Sequence, residues 1–254
     1  LARPMGNTGF NAFTDRLPCP AMGLDQQLVH QLCSAINVDR LVDTAVRLIE
    51  VPSPTCSAGN AADCLADILT ADGFAVERPV ADWPESPAVV TRLETGRTGR
   101  TLQFNGHLDT VHLPFVPPTV EQGLIRGSGA SDMKGGLAAA CEALRICRDT
   151  GLLSAGQILF SAEDLHESPW GDQRQLKAII DEGYVGDAVL VPEYLADRLP
   201  VMGRGMAVFQ VTIRRDGDPI HEVIGGLDQP NVIAAGAELI DRLMQLDDQL
   251  ADKT

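Results

Sequence analysis

From Val38 to Val191 the chain alternates helix-forming stretches with short apolar runs, and that alternation restricts the architecture more than any other feature. Val38 to Glu50 has an amphipathic helical pattern, Ala61 to Gly73 reads as a second helix, and Leu137 to Ile146 as a third. Strand-like runs lie at Ala75 to Pro79, Ala88 to Leu93, Thr101 to Phe104, Gly156 to Ala162 and Ala188 to Val191. Strands separated by helices predict an α/β fold, a mostly parallel sheet covered by helices on both faces. With 254 residues, 44% of them hydrophobic, the chain can bury the core of one large domain and part of a second.

The chemistry gathers where those strands end. Thr101-Leu102-Gln103-Phe104 alternates polar and apolar residues and runs into Asn105-Gly106, so His107 and Asp109 fall at or just past a strand's carboxyl end. Open α/β sheets bind their ligands at that edge. The spacing of two lets the imidazole bind a metal while the carboxylate orients it or a neighbouring catalytic group. Further on, Gly127-Ser128-Gly129-Ala130 is a flexible loop that delivers Asp132 to the start of an apolar helix. There Asp132 can act as a metal ligand, and Gly135-Gly136 lets the helix backbone approach closely. Taken singly, a His-x-Asp is compatible with a hydrogen-bonded turn and Asp132 with a helix N-cap. Together, each with its glycine frame, they point to a hydrated metal. Glu193 follows the apolar run Ala188 to Val191 at the same sheet edge, where a carboxylate is costly to bury unless something positive neutralises it.

His107-Leu108-Asp109 and Ser131-Asp132-Met133-Lys134-Gly135-Gly136 resemble the two leading signatures of the M20 metallopeptidases and deacylases. These are zinc-dependent amidohydrolases that include acetylornithine deacetylase, succinyl-diaminopimelate desuccinylase and carboxypeptidase G. The resemblance runs from about residue 40 to the last residue, and the helix-then-Pro52-Ser53 entry shares it. It implies two zinc ions, with cobalt or manganese as substitutes. It further implies that His107 binds one metal, Asp132 bridges both, Asp109 orients His107, and Glu193 adds a carboxylate to the His107 metal. Relatives carry two adjacent glutamates after the next strand, a general base and a ligand of the other metal. Here the run is Glu163-Asp164-Leu165-His166-Glu167-Ser168-Pro169-Trp170-Gly171. Counting from Gly156 puts His166-Glu167 in register with that pair, whereas counting from Ser161-Ala162 puts Glu163-Asp164 there. The first register is preferred, because Pro169 and Gly171 then shape the turn and Gln175-Leu176 starts the next helix in step. Glu167 becomes the metal ligand and His166 the base, although His166 can also take a metal position and leave Glu167 as the base.

Three regions follow: an irregular N-terminal extension over 1–35, a metal-binding catalytic domain over 36–205, and the start of a lid over 206–254. Met206 to Ile213 reads as a strand and Asn231 to Leu246 as a helix. His221 and Pro230-Asn231-Val232-Ile233 resemble the family's lid signature, which implies that His221 stabilises an oxyanion in a partner's active site and that the chain forms a homodimer. Arg204 is a candidate contact for a substrate carboxylate. In relatives the chain returns after the lid to complete the catalytic domain and supply another histidine. Here the sequence stops at Thr254 with five histidines, His30, His107, His112, His166 and His221, so both domains are expected to be incomplete.

The expected activity is hydrolysis of an amide bond in an N-acyl amino acid or small peptide through metal-activated water. A metal-binding or dimerisation fragment without activity is the alternative, and the central histidine speaks against a calcium site. The net charge of −15 argues against nucleic acid and anionic membranes as partners. No apolar run approaches the roughly 20 residues of a membrane span. The first thirty residues, with Gly6, Gly9, Pro18, Pro20 and Gly23, lack the layout of a signal peptide. Six scattered cysteines without zinc-finger spacing suit a reducing cytoplasm.

Overall fold

The computed structural model describes residues 25–111, 113–193, 211–217 and 231–251. They fall in two units, Leu1–Leu199 and Pro200–Thr254. In the first, α1 (Gln26–Ser34) is followed by α2 (Val38–Glu50), α3 (Gly59–Ala71), β1 (Val76–Glu77), β2 (Val89–Glu94) and β3 (Thr101–His107). Next come β4 (Thr119–Glu121), β5 (Leu124–Arg126), α4 (Lys134–Thr150), β6 (Gln157–Glu163), α5 (Arg174–Asp181) and β7 (Ala188–Leu190). Within the irregular extension expected over residues 1–35, residues 1–24 lie outside the described residues and Gln26–Ser34 is corrected to helix α1. The glycine and proline punctuation ends at Gly23, and the Asp25 carboxylate caps the helix by accepting the Gln27 and Leu28 N–H groups.

The five-stranded sheet has the order β1-β2-β6-β3-β7. Its parallel half is the half that was expected: β3 runs parallel to both β6 and β7. The other half is antiparallel, β2 pairing so with β1 and β6. The connections explain the difference. The chain crosses from β3 to β6 through α4 and from β6 to β7 through α5, and parallel pairing needs such crossovers. No helix separates β1 from β2, so the chain turns straight back. Strands β4 and β5 form a separate hairpin whose turn residues, Gln122 and Gly123, both have positive φ.

Alternation along β3 and β6 sorts two environments. Phe104, Ile158, Phe160 and Ala162 face the main core with Leu48 of α2, Leu65 and Leu69 of α3, and Leu137, Cys141 and Leu144 of α4. Gly106 makes that approach possible, because a Cβ there would lie 2.4 Å from Met133 Cε. The intervening positions form a buried polar column. Gln103 Nε2 and Asn105 Nδ2 both donate to Ser161 Oγ, at 2.9 and 3.0 Å, and Asn105 Nδ2 also donates to the Glu163 carboxylate. Each member supplies what its neighbour lacks, as buried polar groups require.

A buried ion network ties the helices together. Arg40 of α2 binds Glu142 of α4 through two 2.8 Å hydrogen bonds. Arg145 joins Glu142 at 3.4 Å to Asp72, the residue after α3, at 2.7 Å. In the second unit α6 (Val232–Ala251) extends the expected helix by five residues, with Asn231 Oδ1 accepting the Ile233 and Ala234 N–H groups. Val211–Ile213, the described part of the strand expected over 206–213, has no regular secondary structure.

Candidate metal centre

His107 closes β3 and is buried. The chain beyond it is fixed on one side by the Leu108 N–H bond to the Glu163 carbonyl, 2.7 Å. On the other, Ser53 Oγ donates to the Leu108 carbonyl and Thr110 N–H to the Ser53 carbonyl, both at 2.8 Å. The Pro52-Ser53-Pro54 entry therefore braces the site strand. His107 Nδ1 lies 2.9 Å from the Asp109 carbonyl oxygen. A carbonyl only accepts, so Nδ1 carries the hydrogen and Nε2 is directed to Asp132 Oδ1 at 3.0 Å. Burial disfavours a charged ring, but the hydrogen bonding and charge of Asp109, with the charge of Asp132, prevail and push the imidazole up to about 9.

Asp109 does more than orient that ring. Its carboxylate, wholly buried, accepts the N–H groups of His166 at 3.1 Å and Glu167 at 2.9 Å, so it clamps the backbone of the segment that carries both. Burial alone would raise its pKa, yet His107 and these amides hold it below the ordinary carboxylate range. The clamp brings the His166 ring parallel to His107, centroids 4.1 Å apart and planes 7° apart. Burial and the neighbouring His107 charge push His166 downward. Burial and Asp132 push Glu167 upward.

Glu193 arrives from the end of β7 because α4 packs closely there: a Cβ on Gly136 would fall 1.7 Å from the Pro192 carbonyl oxygen. Two groups of potential ligand atoms result, each within 4.8 Å and both containing His107: His107, His166 and Glu193, and His107, Asp132 and Glu167. Imidazole and carboxylate oxygen suit a borderline divalent cation, and the arrangement fits one. All five sequence-derived ligand and base candidates in the first unit thus converge, with Asp109 behind them. His221 and Arg204 lie outside the described residues.

The residues of the acidic run differ in what surrounds them. Asp164 accepts the N–H groups of Cys56, Ala58 and Leu165 and Trp83 Nε1–H, at 2.7 to 3.2 Å, which occupies its lone pairs. Glu163 is buried against Asn105, and burial pushes its carboxyl up to about 8. Neither belongs to the two groups above. Trp83 is a site-shaping residue that the sequence did not reveal, and Gln175, expected only to start a helix, also holds the segment through its Oε1, which accepts the Asp164 N–H at 2.7 Å. Cys56, Ala58 and Trp83 lie more than eighty positions from Asp164, so no local pattern marks them.

Such a centre at the carboxyl edge of the parallel strands defines the class: an α/β domain suited to divalent cations. The chain belongs to peptidase family M20/M25/M40, whose family description matches residues 103–243. It is 34% identical over 184 residues to a succinyl-diaminopimelate desuccinylase of Methylobacterium nodulans, covering 65% of this chain and 46% of that one. Over 230 residues it is 28% identical to an N-formyl-4-amino-5-aminomethyl-2-methylpyrimidine deformylase of Halalkalibacterium halodurans, covering 83% and 51%. The chain spans about half the length of the curated relatives it matches. Among solved structures, a tripeptidase from Staphylococcus aureus superposes with a TM-score of 0.53 at 25% identity, over 64% of this chain and 45% of that one. An M20 family metallo-carboxypeptidase from Sulfolobus solfataricus gives 0.51 at 20% identity, over 61% and 37%, and shares the fold.

Proposed function

We propose that this chain carries the metal centre of a zinc-dependent hydrolase that cleaves an amide bond in an N-acyl amino acid or small peptide. The observation that carries the reading is the convergence of His107, Asp132, His166, Glu167 and Glu193 in a member of the M20 family. His107 and Glu193 would hold one cation and Glu167 the other, with Asp132 between them. The cations supply Lewis acidity toward the amide carbonyl and the attacking water. His166, whose burial disfavours the charged ring, would take a proton from that water at a ring nitrogen. As the carbon–nitrogen bond breaks, the same ring returns the proton to the leaving amine, so carboxylate and amine are the products. Asp109 holds His166 and Glu167 in place through their backbone amides and takes no proton itself.

A homodimer through the second unit is part of the reading. Ile233, Ile240, Leu243 and Met244 form an exposed apolar stripe along α6 that a partner would cover. Cytoplasmic residence is supported by the five described cysteines, all free thiols. No helix among the described residues is long and apolar enough to cross a membrane.

The test is zinc content after dialysis, read beside hydrolysis of N-acetyl and N-succinyl amino acids, for the parent chain and for Asp132→Ala, His166→Ala and Glu167→Ala. About two zinc per chain with turnover, both lost in Asp132→Ala, is the expected result. His166→Ala should keep its zinc and lose turnover; loss of zinc instead would make His166 a ligand and Glu167 the base. Zinc without turnover in the parent chain would leave a metal-binding module.

A further inference from the structure

We propose that the cavity beside the metal centre is the subsite for the substrate's side chain and that it takes an uncharged apolar group next to the scissile amide. The inference rests on the amide-hydrolase reading and specifies its substrate. The cavity has a volume of about 430 Å³, within the range of small-molecule sites. Its lining includes Val111, Leu113, Pro114 and Val116 together with Asp132 and Glu167, so apolar walls meet two groups of the metal centre.

Three features select the occupant. Val111, Leu113 and Val116 are 43%, 72% and 54% exposed, and scattered exposed aliphatics are ordinary, but these converge on one cavity that a ligand can dry. The wall is also set in advance. The Val116 N–H donates to Ser128 Oγ and the Ser128 N–H to the Val116 carbonyl, both at 2.9 Å, which pins the two strands of the loop to each other. Finally, no lysine or arginine among the described residues lines the cavity. A carboxylate-bearing side chain would find no cationic side chain in the described lining to pair with, whereas a leucine-like group would displace water from surface already apolar.

The decisive experiment titrates the zinc-loaded full chain calorimetrically with N-acetylglycine, N-acetyl-L-leucine and N-acetyl-L-glutamate, and follows hydrolysis of the same three. The leucine compound should bind roughly tenfold or more tighter than the glycine compound, the scale on which apolar pockets discriminate, and the glutamate compound no tighter than glycine. Val116→Asp alters a half-exposed side chain and leaves its backbone hydrogen bonds in place. It should collapse the leucine preference to less than about threefold while zinc content stays unchanged. Preference for the glutamate compound, no measurable leucine binding, or an unaltered ratio in Val116→Asp each overturns the subsite. Binding in the expected order without hydrolysis supports the subsite and counts against the hydrolase, whereas hydrolysis that favours glutamate does the reverse.

Discussion

Glu163 offers the sharpest test of the electrostatics, because its carboxyl is buried at the end of β6 with Asn105 Nδ2 as its side-chain donor. Burial pushes it from 4.5 in a free chain up to about 8 in the fold, against the opposing pull of Asn105 and the His107 charge. Between those values the folded chain holds a proton that the unfolded chain has released, so stability falls as pH rises. Working the linkage through from pH 5 to 6.5 gives a loss of about 2 kcal/mol. Glu163→Gln keeps the shape and the Asn105 contact without the titration, so its stability should lack that slope. His107, raised from 6.5 to about 9, loses stability in the same direction, but only at higher pH and in both chains. The assay is urea unfolding in the presence of a chelator, followed by fluorescence of Trp83 and Trp170. Trp83 reports on the site because its Nε1–H donates to Asp164. Parallel stability curves for the two chains from pH 5 to 6.5 would mean that Glu163 is ionised in the fold, and the argument from burial would be wrong.

Three further outcomes follow from packing and hydrogen bonding. Asp109→Asn turns an amide NH₂ toward the His166 or Glu167 N–H, so zinc affinity should fall roughly tenfold to a hundredfold, measured by competition with a chromophoric chelator. Gly136→Ala drives a methyl into the Pro192 carbonyl, so the chain should lose stability by several tenths of a kcal/mol to about 3 kcal/mol and weaken whichever zinc Glu193 holds; a urea midpoint and a zinc titration read both. Glu142→Ala leaves the buried Arg145 with Asp72 as its ionic partner and only the Thr44 hydroxyl besides, and should lower stability by about 3 kcal/mol or more, again by urea unfolding.

Legibility divided according to how local each signal was. His107 and Asp132 could be read because each sits in a short run whose glycines announce close backbone approach, and Gly106 and Gly136 do make that approach. The helix and strand alternation likewise gave the α/β class. It did not give the antiparallel pairing of β1 and β2, since a connection without a helix leaves no periodic mark on the strands it joins. The acidic run stayed ambiguous for a related reason. Choosing between Glu163-Asp164 and His166-Glu167 requires knowing that Glu163 pairs with His107 across the sheet and that Asp164 is already saturated with donors. Those partners come from distant parts of the chain, so no local pattern carries them.

The column Gln103, Ser161, Asn105 and Glu163 also shapes how this protein can vary. Ser161→Ala alone would orphan amide hydrogens from two neighbours in a site without water access, a loss of about 1–3 kcal/mol for each stranded group. Removing donors and acceptor together, as in Gln103→Leu with Ser161→Ala and Asn105→Leu, takes away that demand along with the supply but leaves the Glu163 carboxyl, the Gly186 N–H and the Tyr184 carbonyl to be satisfied by further changes. The effects are therefore strongly epistatic: a scan of single substitutions would score these positions as nearly immutable, while compensated sets lie beyond a valley that stepwise drift seldom crosses. Lineages of this domain should then exchange the column as a block or keep it whole.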